Sequence, residues 1–386
     1  MKPQLRNTIC CIYNMGAHYR WPIFKALAER FPIDFCMGPD NAYTHSIKAF
    51  DYNKLPGFKR LLRNRRLPLK FYWQSGAVRQ LFAPYKQYLM LGEAYCLSSW
   101  VVVMGARLTG RSAVCWTHGW YGREDALKRW VSRCFYSMFN IILTYNNYAR
   151  DLLIKGGIPA HKIRVLGNSL DSPKMRVMRS NLHPTQIYSD HFHNSLPTLI
   201  YCGRIQKSKH LELMIQAARK LKDRGRDVNM VFVGQDSEGV DIPRLAKEAG
   251  LQENVWIYGS CYDDKTLAEL FFNAAACVSP GNVGLTAVHA LSFGCPVITH
   301  GDFPWQGPEF EAIKPSVTGD FFRRGDADDL ARVIETWIGH TPEQRRQTAL
   351  AAFREIDAHW SVEHEMDVFS TVLQGEKPVL AEERLS

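Results

Sequence analysis

Short apolar runs alternate with helical patterns along most of the chain. In the first half, NTICCIY, IDFCMG, SAVCWT and IILTYN have the length and composition of buried strands. A helical stretch from about Ala126 to Phe139 follows SAVCWT, and NYARDLLIKGG follows IILTYN. Strands that alternate with helices in this way predict a parallel sheet covered on both faces.

The second half alternates more regularly. Its predicted strands are TLIYC, VNMVFVG, NVWIYG, ACVS and CPVIT. Three sets of apolar residues, two between these strands and one after the last of them, recur at helical spacing, and each set predicts one buried helix face: Leu211, Met214, Ile215, Ala218 and Leu221; Leu267, Leu270, Phe271 and Ala274; Leu330, Val333, Ile334 and Trp337. A further helix is predicted to begin at Leu285. Ligands of such sheets bind at the carboxyl ends of the strands.

The predicted fold class is therefore α/β, with two doubly wound Rossmann-like domains facing a central cleft. The length of 386 residues is that of about two domains. Residues 172–197 are mixed and polar, which predicts a linker or an irregular hairpin. This stretch places the boundary between an N-terminal domain, residues 1–190, and a C-terminal domain, residues 191–386, whose terminal helix is a candidate to pack back on the N-terminal domain.

Composition narrows the cellular setting. The chain is 46% hydrophobic and 22% charged, as globular proteins are, and no segment approaches the ~20 apolar residues that a membrane span needs. The apolar run that follows Lys2 and Arg6 is too short for a secretory signal. Ten cysteines without a CxxC pattern indicate reduced thiols. We therefore expect a cytoplasmic protein.

The net charge of +10 is concentrated in one segment. Nine Lys or Arg residues and no acid lie between Asp51 and Glu93. We call the part from Lys59 to Lys70 the basic segment; its six cations are Lys59, Arg60, Arg63, Arg65, Arg66 and Lys70. Aromatic residues accompany them, which suits an anionic membrane surface or an acceptor that carries a phosphate and a lipid. A solvated basic face is an equal alternative. Nucleic acid is not an expected partner, because no known nucleic-acid-binding motif accompanies the charge.

A glycine loop in the second half carries the main chemical signal. In SPGNVGLTAVHALSFGCPVI, the segment Gly281–Thr286 follows a predicted strand and opens a helix at Leu285. Glycines let a ligand approach the backbone, and the unpaired amides of a first helical turn bind phosphate. We therefore expect an anion site formed by Gly281, Asn282, Val283, Gly284, Leu285 and Thr286. A strand–glycine–helix turn that serves packing alone is the alternative.

Charged residues follow two other predicted strands. Arg204 comes directly after TLIYCG, and Lys209 follows five residues later. Two cations at a strand end are suited to flank a diphosphate and to stabilise its charge as it leaves. Glu309 and Glu311 lie near the same rim, where carboxylates bind ribose or sugar hydroxyls or cap a helix start.

These residues resemble those of retaining GT-B glycosyltransferases of family 4, also called glycosyl transferases group 1. The resemblance covers roughly Thr198 to Ile338 and runs, in order, through Gly203, Arg204, Lys209, Gly234, Gly259, GLTAVHALSFGCPVI and EAIKPSVTG. In the first half it rests on THG, with His118, and on KIRVLGNSLD. It implies a nucleotide-sugar donor on the C-terminal domain, with Arg204, Lys209 and His118 as catalytic residues. It also implies donor contacts from Gly16, Gly203, Gly234, His289, Glu311 and the glycine loop.

Two family glutamates are missing. They lie eight residues apart around the loop and contact the donor sugar and the ribose; here these positions are Gly281 and His289. His289 retains a hydrogen-bonding group, although a buried core histidine is its alternative. His118 has the same alternative, because Trp116 and Trp120 flank it. Glu311 is then the expected remaining carboxylate of the site.

A metal and a cofactor are not expected. Asp326 to Asp328 spell DAD, as in metal-dependent glycosyltransferases of another fold, but they precede a predicted helix, where acidic residues stabilise the N-terminus.

The expected activity is transfer of a hexose from a UDP- or GDP-sugar to a glycan or lipid-linked acceptor, with retention. The expected setting is lipopolysaccharide, capsule or exopolysaccharide synthesis at the inner face of the cytoplasmic membrane. A nucleotide-sugar 2-epimerase of GT-B fold and a non-catalytic nucleotide-sugar-binding protein are the alternatives.

Overall fold

The computed structural model describes residues 8–39 and 48–375, so Lys2 and Arg6 lie outside the described residues. The chain divides into two compact units. Unit 1 comprises the described residues of Met1–Leu170 and Val362–Leu380, and unit 2 comprises Asp171–Ser361. Each unit has a parallel sheet with helices and a hydrophobic core of its own. The predicted α/β class with two Rossmann-like domains is confirmed.

In the described part of unit 1, seven parallel strands form one sheet in the order β3-β2-β1-β6-β7-β8-β9. These strands are β1 (Ile9–Tyr13), β2 (Ile33–Met37), β3 (Phe58–Leu61), β6 (Gln87–Leu91), β7 (Ser112–Thr117), β8 (Ile141–Thr144) and β9 (Ile163–Val165). An antiparallel hairpin of β4 (Arg63–Arg66) and β5 (Tyr72–Ser75) stands apart from this sheet. The helices are α1 (Trp21–Arg30), α2 (Leu97–Leu108), α3 (Ala126–Ser137), α4 (Asn147–Lys155) and, from the end of the chain, α13 (Val362–Gln374).

Within residues 171–361, all of which are described, six parallel strands are ordered β12-β11-β10-β13-β14-β15. They are β10 (Thr198–Cys202), β11 (Asn229–Val233), β12 (Val255–Gly259), β13 (Ala276–Ser279), β14 (Val297–His300) and β15 (Gly319–Phe322). The helices are α5 (Ser172–Arg179), α6 (Ile187–Phe192), α7 (Glu212–Asp223), α8 (Ile242–Glu248), α9 (Asp264–Asn273), α10 (Leu285–Ser292), α11 (Ala327–Ile338) and α12 (Pro342–His359).

The apolar periodicity correctly identified three helices of unit 2, α7, α9 and α11. Met214 of α7, Phe271 of α9 and Trp337 of α11 are all fully buried or nearly so. Met214 and Trp337 belong to one core cluster beside the sheet. Burying one apolar side chain of this size contributes roughly 1.5–3 kcal/mol, which is why the spacing of such residues predicts where a helix packs.

The prediction of a linker or hairpin at residues 172–197 is wrong, because this stretch holds α5 and α6. The Asp171 side chain caps α5 by accepting a hydrogen bond from the Lys174 amide at 3.3 Å. Arg179 forms an ion pair with Asp357 of α12. The buried Tyr188 of α6 donates its hydroxyl to the carbonyl of Leu270 at 2.6 Å. Both helices thus pack on unit 2, and the units divide after Leu170 instead of after residue 190.

The last helix, α13, belongs to unit 1. The ring of Phe369 packs edge-on against Trp116 of β7, with centroids 5.3 Å apart. Glu365 accepts a hydrogen bond from the Ser169 amide at 2.6 Å. Burial raises the pKa of Glu365 to about 7. The helix therefore contributes both apolar and polar contacts to the core of this unit.

The basic segment lies on β3 and on the hairpin. All six of its cations are exposed, and Lys59 lies 3.6 Å from a carboxylate oxygen of Asp34. Arg63 and Arg65 pair across the hairpin with Ser75 and Trp73. No helix within the described ranges is both long and apolar enough to cross a membrane.

Candidate active site

The glycine loop connects β13 to α10 in unit 2. Gly284 is the residue immediately before α10, so the amides of Leu285 and Thr286 belong to the first helical turn, where amides have no intrahelical partner. The Thr286 hydroxyl donates to the carbonyl of Cys202 at 2.9 Å. Since Cys202 ends β10, this bond holds the start of α10 at the carboxyl ends of two adjacent strands. Such a helix start favours an anionic ligand.

Lys209 contacts the glycine loop directly. Its ammonium donates to the backbone carbonyl of Asn282 at 2.7 Å and to Asn282 Oδ1 at 3.0 Å. Burial, and then the positive charge of Arg204, lower the pKa of Lys209 to about 8, while Glu309 acts in the opposite direction. Lys209 is partly buried and Arg204 is exposed. The structure thus brings both predicted cations close to the glycine loop that precedes α10.

The backbone packed around Gly281 accounts for the absence of the first family glutamate at this position. A Cβ at this position would lie 2.4 Å from the carbonyl oxygen of Ser208 and 2.7 Å from Cα of Lys209. Both neighbours are backbone atoms, which cannot move aside as the end of a side chain can. No side chain fits at residue 281 while Lys209 holds the loop in this way.

Gly203 and Gly234 let two strand ends approach closely. Their φ angles are +149° and +151°, which other residues rarely adopt. A Cβ on Gly234 would lie 1.8 Å from the carbonyl oxygen of Gly203. The two predicted donor-site glycines therefore shape the backbone where β10 and β11 end.

Gln306 fixes the rear of the loop and was not anticipated from the sequence. Its Oε1 accepts a hydrogen bond from the Val283 amide at 2.7 Å. Its Nε2 donates to Thr299 Oγ1 at 2.9 Å and to the carbonyl of His300 at 2.7 Å. Gln306 is buried, so these bonds tie the loop to the end of β14 without contact with solvent.

Glu309 lies beside the helix start, whereas the sequence had favoured Glu311. Glu309 is only 3% exposed, and its Oε2 lies 3.9 Å from where a Cβ on Gly284 would be. Both glutamates belong to the short 3-10 helix Pro308–Ala312. Residues two apart in such a helix point in different directions. Glu311 is partly buried, and its carbonyl accepts a hydrogen bond from Lys314 at 2.9 Å. Of these two glutamates, Glu309 is therefore the one whose carboxylate is shown to lie beside the glycine loop.

His289 lies more than one turn inside α10. Its ring packs between Phe271 and Phe293, with centroid distances of 5.1 and 5.5 Å. Its Nε2 is closed off from solvent and has no hydrogen-bond partner among the described residues. Burial lowers the pKa of His289 to about 4, so the ring is neutral near pH 7. These surroundings favour the core-packing role, one of the two roles that the sequence left open.

His118 and Gly16 are in unit 1. His118 follows β7, and its ring centroid lies 4.6 Å from that of Tyr145. Its desolvating surroundings, and then the charge of Arg20, lower the pKa of His118 to about 4. The Gly16 amide donates to the Tyr52 hydroxyl at 2.9 Å, and its carbonyl accepts from the Phe50 amide at 3.0 Å. Both polar groups of Gly16 are therefore used within the unit.

Arg20, which follows Gly16 in the same N-terminal segment, is buried in unit 1. Its buried guanidinium lies 5.1 and 5.2 Å from the rings of Trp116 and Tyr145, and it donates to the Tyr145 hydroxyl at 2.5 Å. This places a fixed positive charge close to His118.

The predicted DAD sequence is a helix cap. Asp326 precedes α11 and accepts a hydrogen bond from the Asp329 amide at 2.9 Å, as expected. In residues 8–39 and 48–375, no group of three His, Cys, Asp or Glu side chains is arranged to hold a metal ion.

Comparison with known proteins connects unit 2 to a family. Residues 188–353 match the family described as glycosyl transferases group 1. The alpha-D-kanosaminyltransferase of Streptomyces kanamyceticus is 27% identical over 136 residues, which are 35% of each chain. A GDP-mannose-dependent alpha-(1-6)-phosphatidylinositol dimannoside mannosyltransferase of Mycobacterium tuberculosis is 27% identical over 186 residues, 46% of this chain and 43% of that one. The chain thus matches less than half the length of these curated relatives.

The fold has close structural counterparts over almost its whole length. The crystal structure of Anabaena Alr3699/HepE in complex with UDP superposes with a TM-score of 0.72 at 14% identity, covering 96% of this chain and all of that one. At this identity the likeness concerns the fold alone, and it confirms the predicted GT-B architecture. Residues 188–353 of the chain thus match the glycosyl transferases group 1 family, and the chain as a whole has the GT-B fold.

Proposed function

We propose that the protein is a retaining hexosyltransferase that moves a hexose from a UDP- or GDP-sugar to a hydroxyl of a glycan or lipid-linked acceptor. The observation that carries the proposal is the Lys209 ammonium, bonded to Asn282 of the glycine loop beside the charge of Arg204. Two cations and a helix start at one point are suited to a diphosphate. The GDP-mannose in the name of the Mycobacterium relative and the UDP in the Anabaena structure support a nucleotide-sugar donor.

The chemistry follows from the leaving group. The bond between the anomeric carbon and a β-phosphate oxygen breaks, and the acceptor oxygen bonds to the anomeric carbon on the same face. The acceptor proton passes to the departing diphosphate. Arg204, Lys209 and the first amides of α10 stabilise the negative charge that develops there. In this proposal no metal ion is needed, since the two side-chain cations supply the positive charge.

The proposed setting is the inner face of the cytoplasmic membrane, in lipopolysaccharide, capsule or exopolysaccharide synthesis. The six exposed cations of the basic segment support it, because clustered Lys and Arg residues are attracted to anionic lipid headgroups. A lipid-linked acceptor would be available at the same surface.

A thermal-shift panel of UDP- and GDP-sugars tests the donor. One of them should raise the melting temperature at saturating concentration, because a ligand that binds only the folded state stabilises it. NMR of the enzyme with this donor and a range of acceptors then tests the reaction. Release of UDP or GDP with formation of a new α- or β-glycoside of unchanged configuration is expected. Conversion of the donor to its 2-epimer without an acceptor, or donor binding without any turnover, would contradict the proposal.

A further inference from the structure

Unit 1 contains a cavity whose lining residues, Tyr13 to Tyr145, all belong to this unit. Its volume is about 740 Å³, within the ~300–1,000 Å³ typical of small-molecule sites. It lies where β1, β6 and β7 end, and Asn14, Glu93 and His118, which follow these strands, line it. The carboxyl ends of parallel strands are where such folds bind ligands.

Most of the cavity wall is apolar or aromatic. Phe71 and Tyr95 line it with ring centroids 5.8 Å apart, and Trp120, Leu127 and Val131 line it as well. Aromatic and aliphatic walls bind flat or extended apolar groups by removing their surface from water.

Two polar side chains of the wall on and before α3, Glu124 and Ser132, form their hydrogen bonds within the unit. The two carboxylate oxygens of Glu124 accept the amides of Tyr121 and Gly122 at 2.6 and 3.0 Å. Ser132 accepts from the Trp120 indole at 2.7 Å and donates to the backbone of α3. These two side chains therefore leave little hydrogen-bonding capacity for the hydroxyls of a glycan on this side of the cavity.

Glu93 differs from these groups. Its Oε1 accepts from Asn14 Nδ2 at 3.2 Å, and its Oε2 accepts from the Tyr72 hydroxyl at 2.5 Å. Each carboxylate oxygen has a second acceptor position. Burial raises the pKa of Glu93, while the bonds from Tyr72 and Asn14 act against this. The Glu93 carboxylate is thus fixed in position by two hydrogen bonds and can accept a further hydrogen bond from one hydroxyl group in the cavity.

The apolar lining continues to the protein surface. Leu69 and Leu127 line the cavity yet are 85% and 69% exposed. Leu69 and Lys70 both have positive φ angles, +57° and +64°, which are strained for residues other than glycine. Exposed leucines at a cavity opening suit a ligand whose apolar part extends out of the cavity.

We propose that this cavity binds the acceptor through an apolar alkyl or aryl body, while Glu93 receives the hydrogen bond of a hydroxyl attached to that body. The proposal rests on the transferase function proposed above and names the acceptor class. It assigns Glu93 as a binding residue and Leu127 as a contact for the apolar body.

Calorimetry on the full chain, with glucosides of graded apolarity, tests the proposal. The probes are methyl, phenyl and octyl β-D-glucopyranoside, the last below its micelle concentration, and maltotetraose. The octyl glucoside, the phenyl glucoside or both should bind at least about tenfold more tightly than the methyl glucoside, because apolar surface is buried. Preference for octyl alone indicates a lipid, and preference for phenyl alone indicates an aryl aglycone. Equal affinity for all three, or tightest binding of maltotetraose, would overturn the proposal.

Matched variants locate the binding. Leu127→Asp should remove most of the apolar preference. Leu108→Asp, on an 83% exposed leucine of α2 outside the cavity, should retain it. Glu93→Gln should weaken all three glucosides by a similar factor. If Leu127→Asp and Leu108→Asp behave alike, the cavity is not the site. Donor affinity is measured on the same variants and should not change, so failure of the donor panel and failure of the cavity proposal remain distinguishable.

Discussion

Lys209 donates hydrogen bonds from one ammonium to both the backbone carbonyl and the side-chain oxygen of Asn282, at 2.7 and 3.0 Å. This places a positive charge against the loop whose next residues begin α10. The N-terminus of α10 is itself electropositive, so it repels the Lys209 ammonium. A bound anion would remove this electrostatic repulsion. This arrangement supports the diphosphate site proposed above.

Replacing either cation should reduce transfer without unfolding the protein. We expect Lys209→Ala and Arg204→Ala each to lower kcat by roughly 100-fold or more, since each stabilises charge on the leaving diphosphate. Lys207→Ala is the control, because this exposed lysine lies in the same short helix as Lys209. Steady-state kinetics and melting temperatures of the three variants check the prediction. Native turnover in both site variants would refute the proposed role.

Donor affinity should fall as the pH rises through 8. Lys209 has a pKa of about 8 and is cationic below that value. If only the ammonium form binds the diphosphate, the dissociation constant should increase about tenfold between pH 7 and pH 9. Lys209→Arg keeps its charge over this range, so the donor affinity of this variant should stay nearly constant. Calorimetry at both pH values checks this, and parallel curves for the two proteins would argue against it.

Vesicle binding should depend on the basic segment. We expect sedimentation with vesicles that contain anionic lipid and not with purely zwitterionic vesicles, with weaker binding at higher salt. The double variant Arg63→Glu, Arg65→Glu changes exposed residues of the hairpin and should abolish binding. Arg244→Glu, Arg346→Glu changes exposed arginines of unit 2 and serves as the control. Equal binding of the two variants would contradict the proposed membrane contact.

The sequence predicted the parts of the fold that show regular apolar spacing. Met214 and Trp337 repeat with their neighbours at helical intervals, and both are buried as expected. Helices α5 and α6 were missed because their polar composition conceals what holds them. The ion pair of Arg179 with Asp357 and the bond from Tyr188 to Leu270 join residues far apart in the chain. Local patterns carry no information about such contacts.

The sequence also predicted only part of the candidate site. The glycine loop, Arg204 and Lys209 follow strands that lie side by side, so strand order alone brings them together. Glu309 was not preferred over Glu311 because the direction of a side chain in a short 3-10 helix cannot be inferred from composition. The cavity of unit 1 was missed for another reason: Asn14, Tyr72 and Glu93 come from separate elements and meet only in the folded unit.

Restoring the family glutamate at residue 281 should harm the protein. Even the Cβ of Gly281→Ala would meet backbone atoms of Ser208 and Lys209, so the loop must shift and the bond from Lys209 to Asn282 must weaken. We expect Gly281→Ala to lose donor affinity by tenfold or more, and Gly281→Glu to be less stable still. Gly301→Ala is the control, because the nearest atom to its Cβ is 3.5 Å away. Higher activity in Gly281→Glu would show that the site tolerates the family arrangement.

His289 should make the protein sensitive to acid. Its pKa is about 4 when folded, against 6.5 as its ordinary value, so the unfolded chain takes up this proton first as the pH falls. The contribution of the neutral His289 ring to the free energy of unfolding is fully present above about pH 6.5 and is lost as the pH falls to 4. At pH 5 the loss is about 2 kcal/mol for one such group. His289→Phe should therefore lose roughly 5 °C less in melting temperature between pH 7 and pH 5 than the native protein does. His161→Phe, on an exposed histidine, should behave like the native protein.

The same variant separates the two roles of His289. The His289 ring packs against the rings of Phe271 and Phe293, and its Nε2 is closed off from solvent, so a donor ribose reaches it only if the ring turns outward. We therefore expect His289→Phe to change donor affinity by less than about twofold, which calorimetry with the identified nucleotide-sugar checks. A loss of about tenfold at unchanged melting temperature would instead indicate a lost hydrogen bond to the donor. In that case His289 would replace the second family glutamate, and α10 would bind the donor at two points, through its first amides and through this ring.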